Sequence, residues 1–197
     1  MNEPKLWSDG WDYNEVTKDR PSSWKLYSRI NDYRFFLENG KERRLIDIIN
    51  EFGIKSILDY GCGNSTSIRR ILQSSNKTNV KLYDYDPFVK GKDIRPNEMF
   101  DMVVCHNVLG GIEENYVPAV IQDLINYSKK IVIIKIPTGK ERVEGFVKQI
   151  HSIKHIDVLE SSILSANEYS AKITLSQLFV YFLLRKHEQT DEEYKSR

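Results

Sequence analysis

Hydrophobic residues follow two alternating patterns along this chain. Short, continuous apolar runs such as Met102–Val104 and Ile131–Ile134 indicate strands that are buried on both faces, as in a parallel sheet. Between such runs, apolar residues recur at spacings of three and four, as from Val117 to Leu124, which indicates helices with one buried face. Strands that alternate with helices predict an α/β fold with a mostly parallel sheet between helical layers.

The same pattern gives the bounds of the predicted elements. The predicted strands are Ser56–Tyr60, Val80–Tyr85, Phe100–Cys105, Ile131–Ile134 and Leu178–Leu184, with a further apolar stretch around Ile156–Leu164. The predicted helices are one with its apolar face from Leu26 to Leu37, one from near Lys41 to Gly53, and those at Ser67–Gln73, Val117–Leu124 and Val143–Ile150.

One connection is too short for this rhythm. Only Pro87–Met99 separates the second predicted strand from the next, which leaves no room for a helix, a strand and their turns. We therefore expect a sheet that is trimmed after its second strand, with Lys92–Ile94 as at most a strand stub.

Composition and charge limit the cellular context. The 197 residues carry a net charge of +1, which does not favour a long nucleic acid as partner. Cys62 and Cys105 form no disulfide framework and predict reduced thiols in a cytoplasmic protein. We find no signal peptide and no apolar stretch of membrane-spanning length, so we expect no membrane association.

The sequence predicts three segments along the chain. They are an N-terminal helical or lid segment over residues 1–53, a core over 54–186 and a polar tail over 187–197.

The stretch Ile57–Thr66 predicts a ligand site. An apolar run ends on Asp59, two glycines follow at Gly61 and Gly63, and small hydroxyl residues precede a helix. Such a strand–turn–helix unit can hold the polar part of a nucleotide-like ligand, because glycine allows close backbone approach and helix N-termini present free N–H groups.

Two carboxylates narrow the choice of ligand. Asp59 would repel a pyrophosphate, which disfavours a nicotinamide oxidoreductase, and would suit a cationic amino group. An acid near the end of the second strand, Asp84 or Asp86, could bind both hydroxyls of a ribose. An amino-acid moiety joined to a ribose describes S-adenosylmethionine.

Three segments carry a family resemblance: Leu58–Gly63, Tyr83–Phe88 and Phe100–Leu109. Over about Ile54–Pro137 the sequence resembles class I S-adenosylmethionine-dependent methyltransferases. Residues Tyr85–Asp93 look like a compact group of these enzymes that is common in phage genomes. The resemblance implies a three-layer, Rossmann-like fold with a C-terminal antiparallel strand, and S-adenosylmethionine as cofactor.

The resemblance also implies site residues. Those expected around the cofactor are Asp59, Tyr60, Gly61, Cys62, Gly63, Ser65, Asp84, Asp86, Pro87, Asp93, Cys105, His106 and Asn107. The compact group makes Asp86 the ribose acid, whereas the general acid-x-x-Pro pattern makes it Asp84; we favour Asp86. Asp93 would accept from the adenine amino group. His106 is a candidate general base, or else a capping or hydrogen-bonded histidine.

The methyl acceptor is less well specified. The family's frequent Leu-Glu-His sequence is replaced by Leu109–Ile112, and the motifs of amino-methylating and cytosine-C5 DNA enzymes are missing. We expect methyl transfer to a small-molecule or nucleotide-like acceptor by alignment and in-line displacement. The alternative is a protein that binds S-adenosylmethionine without methyl transfer, or another reaction that consumes it. His151, His155 and His187 show no metal-ligand spacing, so no metal site is expected.

The N-terminal tryptophans leave two interpretations open. Trp7, Trp11 and Trp24 lie among basic residues, as in a lid that stacks on a planar substrate. The other interpretation is packing of an N-terminal helix against the sheet.

Overall fold

The structure is a computed structural model that describes residues 34–36, 42–112, 114–138, 140–154, 156–165 and 178–186. The three tryptophans, most of the first predicted helix and the tail over 187–197 lie outside these described residues.

Strands and helices alternate through the core. The strands are β1 (Arg34–Phe36), β2 (Glu42–Arg44), β3 (Ser56–Tyr60), β4 (Lys81–Tyr85), β5 (Phe100–His106), β6 (Ser128–Thr138), β7 (Ile156–Ser165) and β8 (Leu178–Lys186). The α-helices are α1 (Leu45–Glu51), α2 (Ser67–Ser74), α3 (Val117–Tyr127) and α4 (Lys140–His151). Two single-turn 3-10 helices, Leu109–Gly111 and Glu114–Tyr116, follow β5.

Six strands form one sheet in the order β4-β3-β5-β6-β8-β7. Strands β4, β3, β5 and β6 are parallel, and β8 runs antiparallel to both of its neighbours. The chain passes from β4 to β5 through turns, and no strand forms over Lys92–Ile94. The predicted trimmed, mostly parallel sheet is therefore confirmed. Strand β4 lies on one side of β3 and β5 lies on the other, so the strand order reverses at β3. Such folds bind ligands at this point.

The predictions before the core were partly wrong. Arg34–Phe36, expected in a helix, is instead a strand that pairs with Glu42–Arg44. The next helix begins at Leu45 rather than near Lys41, because the Asp47 carboxylate accepts from the Arg44 backbone N–H at 3.0 Å and so caps the helix there. Backbone pairing with the segment that follows a few residues later has overridden the helical spacing of the apolar residues.

Side chains of the sheet alternate between two helical layers. Leu58, Val103 and Val132 pack in the core formed with α3 and α4, which we call the α3/α4 face. Their neighbours in sequence, Ile57 and Val104 among them, pack in the core formed with α1 and α2, the α1/α2 face. Because the side-chain period of a strand is two, one polar residue near the carboxyl end of each of β3, β4, β5 and β6 falls on the α1/α2 face. These residues are Asp59, Asp84, His106 and Lys135.

A polar network attaches the trimmed connection to α3. The Arg95 guanidinium donates to both Asp123 carboxylate oxygens at 2.7 and 2.9 Å and to the Tyr127 hydroxyl at 2.8 Å. The Tyr60 hydroxyl donates to the same Asp123 at 3.2 Å. This network links the end of β3 to the connection that replaces the missing strand and helix.

Candidate functional site

The glycine turn after β3 folds over the end of β4. The backbone N–H groups of Gly61 and Cys62 both donate to the Tyr85 carbonyl, at 2.8 and 3.1 Å. Gly61 has φ +74° and Gly63 has φ +53°, a region that residues with a Cβ rarely adopt. A Cβ on Gly61 would also overlap the Val108 side chain. Both the conformation and the space therefore require glycine at residue 61.

The Asp86 carboxylate is fixed beside this turn. One oxygen accepts from the Gly63 backbone N–H at 2.8 Å, and the other accepts from the Phe88 N–H at 2.9 Å. The residue is buried, with 7% of its surface exposed. The carboxylate is thus oriented by its own turn and by the glycine turn across from it.

The Asp84 carboxylate faces a different element. It accepts a hydrogen bond from the Arg69 guanidinium of α2 at 2.8 Å. It also lies in register with Asp59 on the neighbouring strand, on the same face of the sheet.

Asp59 is the most buried acid of the site. Only 3% of its surface is exposed, and its pKa is raised from 3.8 to about 7 by burial and by the neighbouring Asp84. The Lys92 ammonium opposes this rise in pKa, while Asp86 adds to it. A cation that reached Asp59 would therefore favour its ionised form.

The end of β5 has the opposite electrostatic character. Burial, and then the nearby Lys135 charge, hold the pKa of His106 well below its usual value, so the imidazole is neutral at pH 7. Lys135, the partner of His106 in the β5–β6 register, is 6% exposed, and burial lowers its pKa to about 8.

Asn107 ends this strand in a left-handed conformation. It has φ +63°, and its backbone N–H donates to the Lys135 carbonyl at 2.9 Å. Its side-chain oxygen is buried, without a hydrogen-bond partner among the residues that the structure describes.

Known proteins were compared with the chain at the levels of sequence and structure. No family model matches it. Over 88 residues it is 30% identical to the tRNA N(3)-methylcytidine methyltransferase trm140 of Schizosaccharomyces pombe, a match covering 42% of this chain and 29% of that protein. The chain thus spans less than a third of this curated relative.

The solved structures include magnesium protoporphyrin IX methyltransferase (ChlM) from Synechocystis PCC 6803. Its structure with bound S-adenosylmethionine matches with a TM-score of 0.52 at 12% identity, covering 91% of this chain and 88% of that one. Its structure with bound S-adenosylhomocysteine matches with a TM-score of 0.50 at 12% identity, covering 92% and 91%.

The chain has the class I methyltransferase fold. The fold class inferred from the sequence is therefore confirmed, including the antiparallel strand near the C-terminus. In this methyltransferase fold, the glycine turn and the acids described above lie at the carboxyl ends of β3 and β4, beside the point where strand order reverses.

Most of the predicted cofactor residues lie at this edge of the methyltransferase sheet. The Ser65 hydroxyl accepts from the Ser67 N–H at 3.2 Å and helps to begin α2. Pro87 follows Asp86 in the second turn and is half-buried. Asp93 is exposed, and its carboxylate accepts from the Gly91 N–H at 2.9 Å within a local turn. The Asp93 carboxylate therefore already accepts a hydrogen bond within its own turn.

Tyr60 and the two cysteines support the turn from within the core. The Tyr60 side chain packs on the α3/α4 face, edge-on to the ring of Tyr85 at a centroid distance of 5.2 Å. Burial raises the pKa of the Cys62 thiol to about 12, and burial also raises the pKa of Cys105. Both thiols therefore stay protonated and unreactive at neutral pH.

Two lysines at this edge were not predicted from the sequence as site residues. Lys92 donates through its ammonium to the Gly63 carbonyl at 2.8 Å, and Lys135 is buried beside His106. A lysine that interrupts the apolar run Ile131–Ile136 was the available signal for Lys135. Lys92 gave none, because its contact spans 29 residues of sequence.

The described ranges contain neither a membrane-spanning helix nor a grouped set of metal ligands. None of the helices there has the length and apolar character needed to cross a membrane. In those same ranges, no three histidine, cysteine, aspartate or glutamate residues are grouped as a metal site would require.

Proposed function

We propose that this protein is an S-adenosylmethionine-dependent methyltransferase with a small-molecule or nucleotide-like acceptor. The observation that carries the proposal is the Gly61–Gly63 turn, flanked by Asp59 and Asp86 at the reversal of strand order in a methyltransferase fold. This edge offers backbone N–H groups, carboxylates and close backbone approach in one place.

Asp86 is the proposed ribose ligand. Each of its carboxylate oxygens accepts one backbone N–H and keeps a further lone pair for a ribose hydroxyl. The two N–H donors also fix its orientation before the ligand arrives. Asp84 is the weaker candidate, because the Arg69 guanidinium of α2 engages its carboxylate.

Asp59 is the proposed partner of the cofactor's amino group. It is buried, it ends the strand that leads into the glycine turn, and a bound cation would lower its raised pKa. Gly61, Cys62 and Gly63 would contact the cofactor through their backbone, and Ser65 would shape the turn. We retain Tyr60, Pro87 and Asp93 as neighbours of the cofactor, and Cys105 and Asn107 as residues beside the transferred group.

His106 is the proposed general base. When bound, S-adenosylmethionine supplies an electrophilic methyl group on a sulfonium sulfur. The protein's part is then to align the acceptor, to exclude water and to receive the acceptor's proton where one is released. A neutral imidazole can accept a proton, and burial together with Lys135 keeps His106 neutral at pH 7. The same two causes lower its basicity, so His106 would act as a weak base aided by its position.

The acceptor is proposed from charge and from the absence of the DNA-methylation motifs. A net charge of +1 provides little long-range attraction for a polynucleotide. The curated relative acts on tRNA according to its name, so a tRNA nucleobase is the second candidate.

The proposed location is the cytoplasm. The two thiols, both reduced, agree with this location.

The test has two stages. Calorimetry should show binding of S-adenosylmethionine and no binding of NADH; the reverse result would refute the proposal. Transfer of radiolabelled methyl is then measured in parallel to mixed nucleosides and nucleotides, to a small-metabolite extract and to total tRNA. We expect label in one of the low-molecular-weight fractions. Label in tRNA alone would replace the proposed acceptor class, and cofactor binding with no transfer to any fraction would favour a binding protein.

A further inference from the structure

Lys92 holds an unusual place in the trimmed connection. Its carbonyl accepts from the Asp86 N–H at 2.9 Å, and its own N–H donates to the Val89 carbonyl at 2.8 Å. The backbone from Asp86 to Lys92 is thus closed into a compact turn. From this turn the Lys92 side chain reaches back to the glycine turn, where its ammonium donates to the Gly63 carbonyl at 2.8 Å.

The ammonium of Lys92 lies among the acids of the site. Asp84 has an ion-pair partner of its own, the guanidinium of Arg69. For Asp59, Lys92 is the cation among the described residues that lowers its pKa, against burial and two neighbouring carboxylates. Lys92 therefore brings a positive charge near Asp59, while its hydrogen bond goes to the Gly63 carbonyl of the glycine turn.

This arrangement conflicts with occupation of the site by a second cation. If the proposed function is right, the amino group of S-adenosylmethionine also approaches Asp59. Two ammonium groups at one turn repel each other and compete for its acceptors, and the repulsion is stronger in a partly buried site than in water. A lysine side chain is flexible and half-exposed here, so it can leave while its backbone turn stays in place.

We propose that the Lys92 ammonium and the amino group of S-adenosylmethionine compete for the Asp59–Gly63 turn, and that the cofactor displaces the Lys92 side chain from this turn on binding. The inference rests on the proposed function. It makes Lys92 an autoinhibitory contact: the side chain stabilises the glycine turn through the Gly63 carbonyl and lowers the affinity for the cofactor.

The first test is calorimetry with S-adenosylmethionine on Lys92→Met and on Lys90→Met. Lys90 is an exposed lysine of the same turn and provides the matched control. We expect Lys92→Met to bind about two- to fivefold more tightly than wild type, the range for loss of a partly exposed charged contact, and Lys90→Met to bind like wild type. Equal or weaker binding by Lys92→Met would overturn the inference, because Lys92 would then be neutral or would assist the cofactor.

The second test uses the wild-type protein and so does not depend on how the variant folds. Reductive methylation with formaldehyde and a borane reductant labels accessible amines, and peptide mass spectrometry reads the label at Lys92 and Lys90. Saturating S-adenosylmethionine should accelerate labelling of Lys92 relative to Lys90. Protection of Lys92 would overturn the inference while leaving the proposed function intact. Failure of wild type and Lys92→Met alike to bind S-adenosylmethionine would instead refute the proposed function.

Discussion

The carboxyl edge of the sheet has an acidic half and a basic half. The acidic half comprises the ends of β3 and β4, with Asp59 and Asp86, and backbone hydrogen bonds from the glycine turn hold it together. The basic half comprises the ends of β5 and β6, with His106 and Lys135. Burial shifts Asp59 and Lys135 towards their neutral forms, upward in pKa for the acid and downward for the amine.

The two halves differ in whether a bound ligand can return a buried side chain to its charged form. A cationic ligand would ionise Asp59, and the proposed cofactor carries such a cation. His106 instead stays neutral because burial, and then the adjacent Lys135 charge, lower its pKa. We infer that the acidic half binds the cofactor and that the basic half serves the transfer step. The predictions below test this division, from the largest expected effect to the smallest.

Gly61→Val should abolish cofactor binding. The new side chain would overlap Val108 and would force a φ of +74° on a β-branched residue. Calorimetry with S-adenosylmethionine measures the loss. Gly91→Val is the matched control: Gly91 has φ +85°, but a Cβ there meets no atom within 4 Å. Gly91→Val should be less stable yet still bind, and if both variants bind like wild type, the glycine turn is not the cofactor site.

Asp59→Asn should weaken cofactor binding by about ten- to a hundredfold, the range for loss of a charge-assisted hydrogen bond. The matched control is Asp101→Asn, which removes a half-buried carboxylate that accepts from the Lys55 N–H at the opposite edge of the sheet. Isothermal calorimetry at pH 8 compares the two variants. Equal losses in both would mean that stability, and not the site, determines the affinity.

The raised pKa of Asp59 predicts the direction in which stability and cofactor affinity change with pH. Its pKa of about 7 in the folded protein lies above the ordinary 3.8, so the folded state binds the extra proton between these values. The stability of the free protein should therefore fall as pH rises from about 4 to 7 and then level off. Affinity for the cofactor should rise with pH through 7. Thermal melts and calorimetry on Asp59→Asn should lose both trends; persistence of both would assign them to another group.

Lys135→Met should stabilise the free protein at pH 7 by about 1–2 kcal/mol without changing cofactor affinity. The pKa of Lys135 falls from 10.5 to about 8, so the unfolded state binds more protons between these values. Wild-type stability should therefore rise with pH from 8 to 10.5, and the advantage of the variant should shrink over that range. Lys129→Met, an exposed neighbour, is the control for thermal melts. A pH-independent advantage would contradict a buried ammonium.

Arg95→Met should lower the free energy of unfolding by about 1 kcal/mol, because Arg95 is partly exposed and its ion pair is solvent-screened. Denaturant unfolding measures the change, with the exposed Arg70→Met as control. If the network fixes Tyr60, cofactor affinity should fall slightly in Arg95→Met and stay constant in Arg70→Met. No change in stability would show that the trimmed connection is held by other contacts.

Much of the core could be predicted from local pattern. Strand β3 was predicted over Ser56–Tyr60, as observed, because an apolar run meets a glycine turn that must end it. The trimmed connection followed from its length alone. The pairing of Arg34–Phe36 with Glu42–Arg44 was missed because apolar spacing there fits a helix, while partner strands decide the outcome.

The candidate site likewise has some features that follow from local sequence and others that depend on the tertiary structure. The sequence by itself determined the strand–glycine turn–helix unit and the acids near the ends of β3 and β4, since these depend on neighbours in sequence. Only the tertiary structure decided that Asp86 meets Gly63, that Arg69 engages Asp84 and that Lys92 reaches the glycine turn. It also decided the charge of Asp59, His106 and Lys135, because desolvation depends on what other elements bring to a side chain.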